Sequence, residues 1–300
     1  MSAYDPKRTF GIPLFNSSGL RHNLLEAPSI IEAEDRWKVK ITHYLYNAFL
    51  IEEVNAKIAI DPGQNLWLFK LESLIPKSEW PTVTHIVITH GDPDHHWQSD
   101  RLADMSGAHV ICGKGLTKTE NGQTLVVDPR GRGMTSWISF ENLHPLDVGE
   151  SITLDGVRID TVRSKHGPIV IPILGFTLKR QPGPNERVGL GSMGFKITIG
   201  DKTVVNLGDS LLLPEWEGLA PDVLMLPIGG LGENTWTMDV NDALEAVKLI
   251  SPKIVIPCHY NVPLFWKRKF AVADDDRFKH EAEKLGVKCC ILGSGEQLVA

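Results

Sequence analysis

The sequence predicts an α/β fold, and three observations carry that reading. An apolar β-type run at 84–88 leads through a His/Asp-rich turn into a helical stretch, Ser99–Ser106, and then into a β-run at 109–112. The middle of the chain is a succession of short β-rich runs. The last third alternates strand with helix again.

Residues 1–37 mix Pro with Asn-Ser-Ser-Gly and show no period, so they read as an irregular N-terminal extension packed on the domain that follows. Residues 38–300 read as a single domain, with no linker-like boundary near the midpoint. β-runs at 39–42, 48–51 and 57–60 are separated by turns, and Asp61-Pro62-Gly63 closes the third. Residues 65–80 hold three apolar clusters and two Trp, which predicts a helix with a loop. Residues 112–145 read as a loop that helps shape a pocket. In the middle, 151–154, 157–162 and 169–178 alternate or run apolar, and 181–193 is a Gly/Pro-rich loop carrying Glu186 and Arg187. Runs at 195–199 and 203–207 flank Gly200-Asp201 and predict a hairpin with a two-residue turn. Strands follow at 223–226, 253–256 and 287–292. Helices follow at Val240–Ile250, where Val240, Leu244 and Val247 keep near-3.6 spacing, and at 277–285. Asp274-Asp275-Asp276 suits the N-terminal end of the second helix.

Composition narrows the function classes. A chain of 300 residues with 42% hydrophobic content buries a full core without cross-links. Its net charge of −6 speaks against nucleic acid as a default partner. No window reaches the roughly 18 apolar residues of a membrane span, and no apolar leader-type segment follows Met1-Ser2-Ala3. Cys112, Cys258, Cys289 and Cys290 form no CxxC pair, so they are no disulfide framework and point to a reducing, cytoplasmic setting.

The chemistry concentrates in Thr89-His90-Gly91-Asp92-Pro93-Asp94-His95-His96, directly after Ile86-Val87-Ile88. A strand that ends in neutral nitrogen and anionic oxygen donors can hold a divalent metal on a rigid edge. Three further polar groups each follow a strand: Lys165-His166, Gly208-Asp209 and Cys258-His259-Tyr260-Asn261. Strand ends are where α/β architectures gather their sites. Successive residues point apart, so His96 reads as structural, as do His85, His109, His144, His22, His43 and His280, which lack partners at ligand spacing. Cys258 reads as a small strand-end hydrophobe. Asp61 reads as a turn residue that also braces a ligand His. Gly229-Gly230 and Gly232 match no phosphate-loop pattern.

The heptad and its distant partners, in this order, resemble the His-x-His-x-Asp-His pattern of the metallo-β-lactamase superfamily over roughly residues 38–262. Within it the chain is similar to uncharacterised metal-dependent hydrolases related to the ascorbate-phosphate lactonases, on Ala48-Phe49-Leu50-Ile51, Leu226-Pro227-Ile228-Gly229 and His259-Tyr260-Asn261. Asp92 departs from the pattern, standing where the family has its second His, and Tyr46 stands where this branch often carries a His. The resemblance implies a four-layer αββα sandwich and two divalent metal ions, zinc by family. His90, Asp92 and His166 serve one ion and Asp94, His95 and His259 the other. Asp209 bridges both, with a hydroxide completing the bridge and Asp94 steering it as the catalytic residue. Trp97, Trp236, Tyr260 and Asn261 are the substrate-binding candidates. Asp92 makes the ligand set one charge unit less positive than usual and richer in oxygen, which shifts preference towards manganese or iron.

The expected activity is hydrolysis of an ester, lactone or related carbonyl compound of small-molecule size, with phosphodiester hydrolysis as the alternative. A second alternative is iron-dependent redox chemistry of the flavodiiron type. Those proteins place a carboxylate at the position of Asp92, but it is Glu, and they add a flavin domain. This chain has neither. A third is a non-catalytic metal-binding protein. The Trp-bearing segments at 65–80 and 262–270 are the candidate surfaces for a homo-oligomer.

Overall fold

The computed structural model describes residues 38–65, 73–130, 136–173, 176–183, 186–232, 235–263 and 268–300. The extension expected over 1–37 and much of the helix expected in 65–80 lie outside them.

The first half carries β1 (Lys40–His43), β2 (Phe49–Glu53), β3 (Ala56–Ile60) and β4 (His85–Ile88). A short helical turn α1 (Pro93–His96) and helix α2 (Ser99–Ser106) follow, then β5 (His109–Gly113), β6 (Thr117–Glu120), β7 (Gln123–Val127), β8 (Trp137–Ile138) and β9 (Leu143–Leu146). The second half carries β10 (Ser151–Leu154), β11 (Val157–Arg163), β12 (Ile169–Ile173), β13 (Phe176–Arg180), β14 (Met193–Ile199), β15 (Lys202–Asn206) and β16 (Val223–Pro227). After α3 (Val240–Ile250) come β17 (Ile254–Cys258), β18 (Val262–Pro263), β19 (Lys269–Phe270), α4 (Asp275–Lys284), β20 (Lys288–Cys289) and β21 (Gln297–Val299).

Two seven-stranded sheets result, ordered β21-β1-β2-β3-β4-β5-β9 and β10-β11-β14-β15-β16-β17-β20. Each runs antiparallel through three pairings and parallel through the next three. Side-chain parity explains the layers. Val87 of β4 and Met225 of β16 point into the central core with Ile41, Phe49, Ile58, Phe195, Ile197 and Ile256. Their neighbours point outward: Ile86 and Ile88 pack with Trp80 and Leu102 of α2. Leu224 and Leu226 pack with Leu244, Val247 and Ile250 of α3 and Phe278 of α4. A strand apolar on both faces belongs in a sheet covered on both sides, and the arrangement is helix, sheet, sheet, helix. Asp239 caps α3 by accepting from the Asn241 and Asp242 amides, and Asp274 caps α4 at the Arg277 amide.

Three expectations change. The described part of 65–80 is not α-helical, and Trp80 opens a 3₁₀ turn over Trp80–Thr82. The run at 169–178 is two antiparallel strands, β12 and β13, because Ile169 pairs with Arg180. Residues 112–145, expected as loop, include the small sheet β6-β7-β8 and the edge strand β9. Thr117–Glu120 is wholly polar and β8 has only two residues, so neither shows an apolar alternation.

Candidate metal centre

The described site lies at the C-terminal ends of the parallel strands. Asp92 is extended (φ −76°, ψ 148°), and Pro93 opens α1 with a fixed φ suited to a helix start. The His95 amide donates to the Asp92 carbonyl at 3.0 Å, so one helical turn brings Asp94 and His95 back beneath His90 and Asp92. His96 falls on the other side, fully buried, with Nδ1 3.1 Å from Ser99 Oγ. Burial pushes its imidazole down to about 3. From the second half, His166 follows β11, Asp209 follows β15 and His259 follows β17.

All seven side chains converge. Three groups each keep one donor atom per residue within 4.8 Å of the others: His90, Asp92 and His166; Asp94, His95 and His259; and His90, His95 and Asp209. Asp92 Oδ2 is 3.3 Å from His90 Nε2 and 3.5 Å from His166 Nε2. Asp94 Oδ2 is 3.4 Å from His259 Nε2 and 3.8 Å from His95 Nε2. Asp209 Oδ2 stands between, 3.4 Å from His259, 3.9 Å from His95 and 4.0 Å from His166.

Second contacts fix which imidazole nitrogen faces inward. His95 Nδ1 is 2.6 Å from Asp61 Oδ2, and His166 Nδ1 is 2.7 Å from the Gly167 carbonyl, so each Nδ1–H donates outward and Nε2 is presented to the centre. Asp61, fully buried, also accepts from the Thr89 amide (2.8 Å), Thr89 Oγ1 (2.6 Å) and Asn47 Nδ2 (2.6 Å). Asn47 and Asn206 exchange hydrogen bonds of 2.9 and 3.0 Å, which tie the β1–β2 turn to the end of β15. The Gly189 amide donates to Asp92 Oδ1 at 3.2 Å. Gly189 has φ +64°, and a Cβ there would meet the His166 ring at 2.4 Å, so only glycine lets this loop close on the site.

Burial opposes charge on Asp92, Asp94, His95, His166 and His259, and their charged neighbours override it for all but His166. His95 and His259 hold the Asp94 carboxyl well below the usual range despite its burial. Asp92 is likewise lowered, by His90 and then His166. His95 is desolvated, yet Asp61 and Asp94 push it up to about 10, and Asp209 and Asp94 raise His259. In His166 burial prevails and lowers the imidazole.

The four substrate-contact candidates do not join the cluster as a group. Trp97 is half-buried at the C-cap of α1. Trp236 stacks on Phe270 at 5.1 Å, and its carbonyl accepts from the Gly167 amide beside His166. Tyr260 turns to Asp275, and Asn261 Nδ2 donates to the Ala273 carbonyl at 3.3 Å. Asn47 and Asn206 were not singled out from sequence, and Thr89, though it opens the His/Asp-rich stretch, had no role there. The one available signal was Asn206, a polar residue inside the apolar run Val204-Val205-Asn206-Leu207.

Residues 40–259 match the β-lactamase superfamily domain. A UPF0173 metal-dependent hydrolase from Carboxydothermus hydrogenoformans is 30% identical over 87% of this chain and 100% of its own length. Another from Nanoarchaeum equitans is 29% identical over 87% and 99%. Among solved structures, Igni18, a metallo hydrolase from Ignicoccus hospitalis, superposes with a TM-score of 0.62 at 25% identity, covering 88% of this chain and 98% of its own. The chain therefore belongs to the β-lactamase superfamily, and within it to the UPF0173 group of metal-dependent hydrolases.

Proposed function

We propose that the chain is a metal-dependent hydrolase holding two divalent ions and acting on an ester, lactone or related carbonyl substrate of small-molecule size. The residues fit such ions. His90 Nε2 and Asp209 Oδ1 are buried without a hydrogen-bond partner, a costly state that a cation at the convergence point relieves. His90, Asp92 and His166 hold one ion and Asp94, His95 and His259 the other. The observation that carries the dinuclear reading is Asp209 Oδ2, within 4.0 Å of donors from both groups.

Bound ions of this kind supply Lewis acidity for a carbonyl oxygen and increased acidity for water. The chain's own residues do the rest. Asp61 and the Gly167 carbonyl orient His95 and His166. Asp94, kept ionised by its neighbours, accepts a hydrogen bond from the attacking water and so orients it. Asp92 adds an anionic oxygen to one ion's donors and favours manganese or iron there over zinc. The free thiols Cys112, Cys258, Cys289 and Cys290 support a cytoplasmic setting. Among the described residues no helix is long and apolar enough to cross a membrane.

The test is metal analysis after expression with balanced metals, paired with hydrolysis of lactones, phosphodiesters and thioesters. We expect about two ions per chain, with ester or lactone turnover that chelation abolishes and metal restores. No hydrolysis with any loaded metal refutes the proposal.

A further inference from the structure

Asn47 lies in the turn between β1 and β2, fully buried, with every hydrogen-bonding position of its carboxamide in use. Nδ2 donates to Asp61 Oδ2 at 2.6 Å and to Asn206 Oδ1 at 2.9 Å. Oδ1 accepts from Asn206 Nδ2 at 3.0 Å and from the Cys258 thiol at 3.4 Å. An ionised Asp61 can only accept, which fixes the amide nitrogen on its side.

Each partner leads to a different donor of the centre. Asp61 Oδ2 takes the His95 Nδ1–H at 2.6 Å. Asn206 Oδ1 also accepts from the Gly208 amide at 2.9 Å, one residue before Asp209. Cys258 directly precedes His259, whose own amide donates at 3.0 Å to the carbonyl of Tyr46, the residue before Asn47. One carboxamide therefore stands behind the supports of three donors, and these come from both sheets. His95 follows β4 of the first sheet, whereas Asp209 and His259 follow β15 and β17 of the second.

The position is chemically demanding. It needs a donor towards Asp61 and an acceptor towards Cys258 in one short side chain. A carboxylate there would face Asp61 with like charge, and an apolar group would remove a partner from Asp61, Asn206 and Cys258 in a dry interior. Asn206 has nothing spare to compensate. Its amide hydrogens go to Asn47 and to Met225 Sδ at 3.4 Å, and its oxygen serves Asn47 and Gly208.

We infer that Asn47 is a positioning residue for the ion centre: it sets His95, Asp209 and His259 in register across the two sheets, so that a disturbance in one sheet reaches a donor of the other through its carboxamide. The inference rests on the ion-centre reading and adds the group that couples its two halves.

The test starts from the full-length, metal-free chain with nitrogen-labelled histidine rings. The His95 Nδ1–H proton resonance reports the bond to Asp61 in folded molecules, so a loss of global stability alone leaves it in place. We expect it to move in Asn206→Ala, although the hydrogen bonds of Asn206 reach neither Asp61 nor His95. In Asn47→Ala/Asn206→Ala it should move no further than in Asn47→Ala, because the link is already gone. Zinc alone, titrated in competition with a chelator, should bind Asn47→Ala about tenfold more weakly or worse. A His95 resonance unmoved by Asn206→Ala, or an unchanged zinc affinity in Asn47→Ala, overturns the positioning role. If Asn47→Ala does not fold, the Asn206→Ala resonance decides the matter. If the unmodified chain binds no zinc, the ion-centre reading fails instead, and the resonance alone decides whether Asn47 positions His95.

Discussion

Two histidine clusters sit at opposite strand ends, with β4 contributing to both. At the C-terminal ends, His90, His95, His166 and His259 converge with Asp92, Asp94 and Asp209. At the N-terminal ends, His85 of β4 stands opposite His109 of β5, and His109 Nδ1 lies 3.1 Å from His144 Nε2 of β9. Sequence spacing left these three without partners; parallel pairing supplies them. The carboxylates differ. The first cluster largely encloses them, with Asp209 buried and Asp92 and Asp94 partly so, whereas the second has Asp155, 71% exposed, 3.3 Å from His109 Nε2. The titration differs accordingly. His95 and His259 are raised by their carboxylates, while burial lowers His85 and His144. Among the described residues, every group of three donors within 4.8 Å lies at the first end. Enclosed carboxylates, more than the number of imidazoles, set a cation site apart from a histidine cluster.

The largest expected effect separates the clusters outright. His259→Ala should lower metal content and cut kcat/KM by about a thousandfold or more, whereas His144→Ala should leave the ion count per chain as it is. Equal metal loss in both variants would erase the distinction. Next comes the brace. Asp61→Ala frees the His95 ring and should weaken metal affinity about 10- to 100-fold in a chelator competition; an unchanged affinity would reduce Asp61 to a turn residue. A smaller change is expected from Asp92→His, which restores an imidazole and should raise the zinc-to-manganese affinity ratio several-fold, roughly. Two tightly held zinc ions in the unmodified chain would remove the premise of that comparison.

The smallest effect is a difference in pH dependence. His85 has a lowered pKa in the folded state, so as pH falls through 6.5 the unfolded chain takes up the proton first and stability drops. His85→Gln should therefore lose less stability between neutral and mildly acid urea titrations than the unmodified chain does. His95 carries the opposite sign in metal-free protein. Its contribution is complete below 6.5 and fades as pH rises through about 10. A steeper acid loss in His85→Gln would contradict this assignment.

Much of the site was legible because each polar group follows directly on an apolar strand, and strand ends in such a fold face one region. What was hidden depended on geometry that sequence order does not encode. Asn47 and Asn206 meet across a separation of 159 residues with no periodic trace. Tyr260 and Asn261 adjoin His259 in sequence, but φ values of +55° at His259 and +51° at Asn261 swing the chain so that both contact the 271–275 segment. Long elements with a clear period, such as Val240–Ile250, were readable to the residue. The wholly polar β6 and the two-residue β8 were not, since neither run holds an apolar pattern.

β21 completes the first sheet by pairing Leu298 with Ile41 and Gln297 with Thr42. Hairpin neighbours such as β2 and β3 are joined by a short turn, but β1 and its outer partner are separated by nearly the whole described chain. That contact is among the most non-local in the molecule, and closing so long a loop adds its entropic cost late. Until it forms, the outer edge of β1 is an unpaired template, open to the β1 edge of another copy. Refolding yield should therefore fall with protein concentration, and the lag should track the arrival of β21 rather than the collapse of either core.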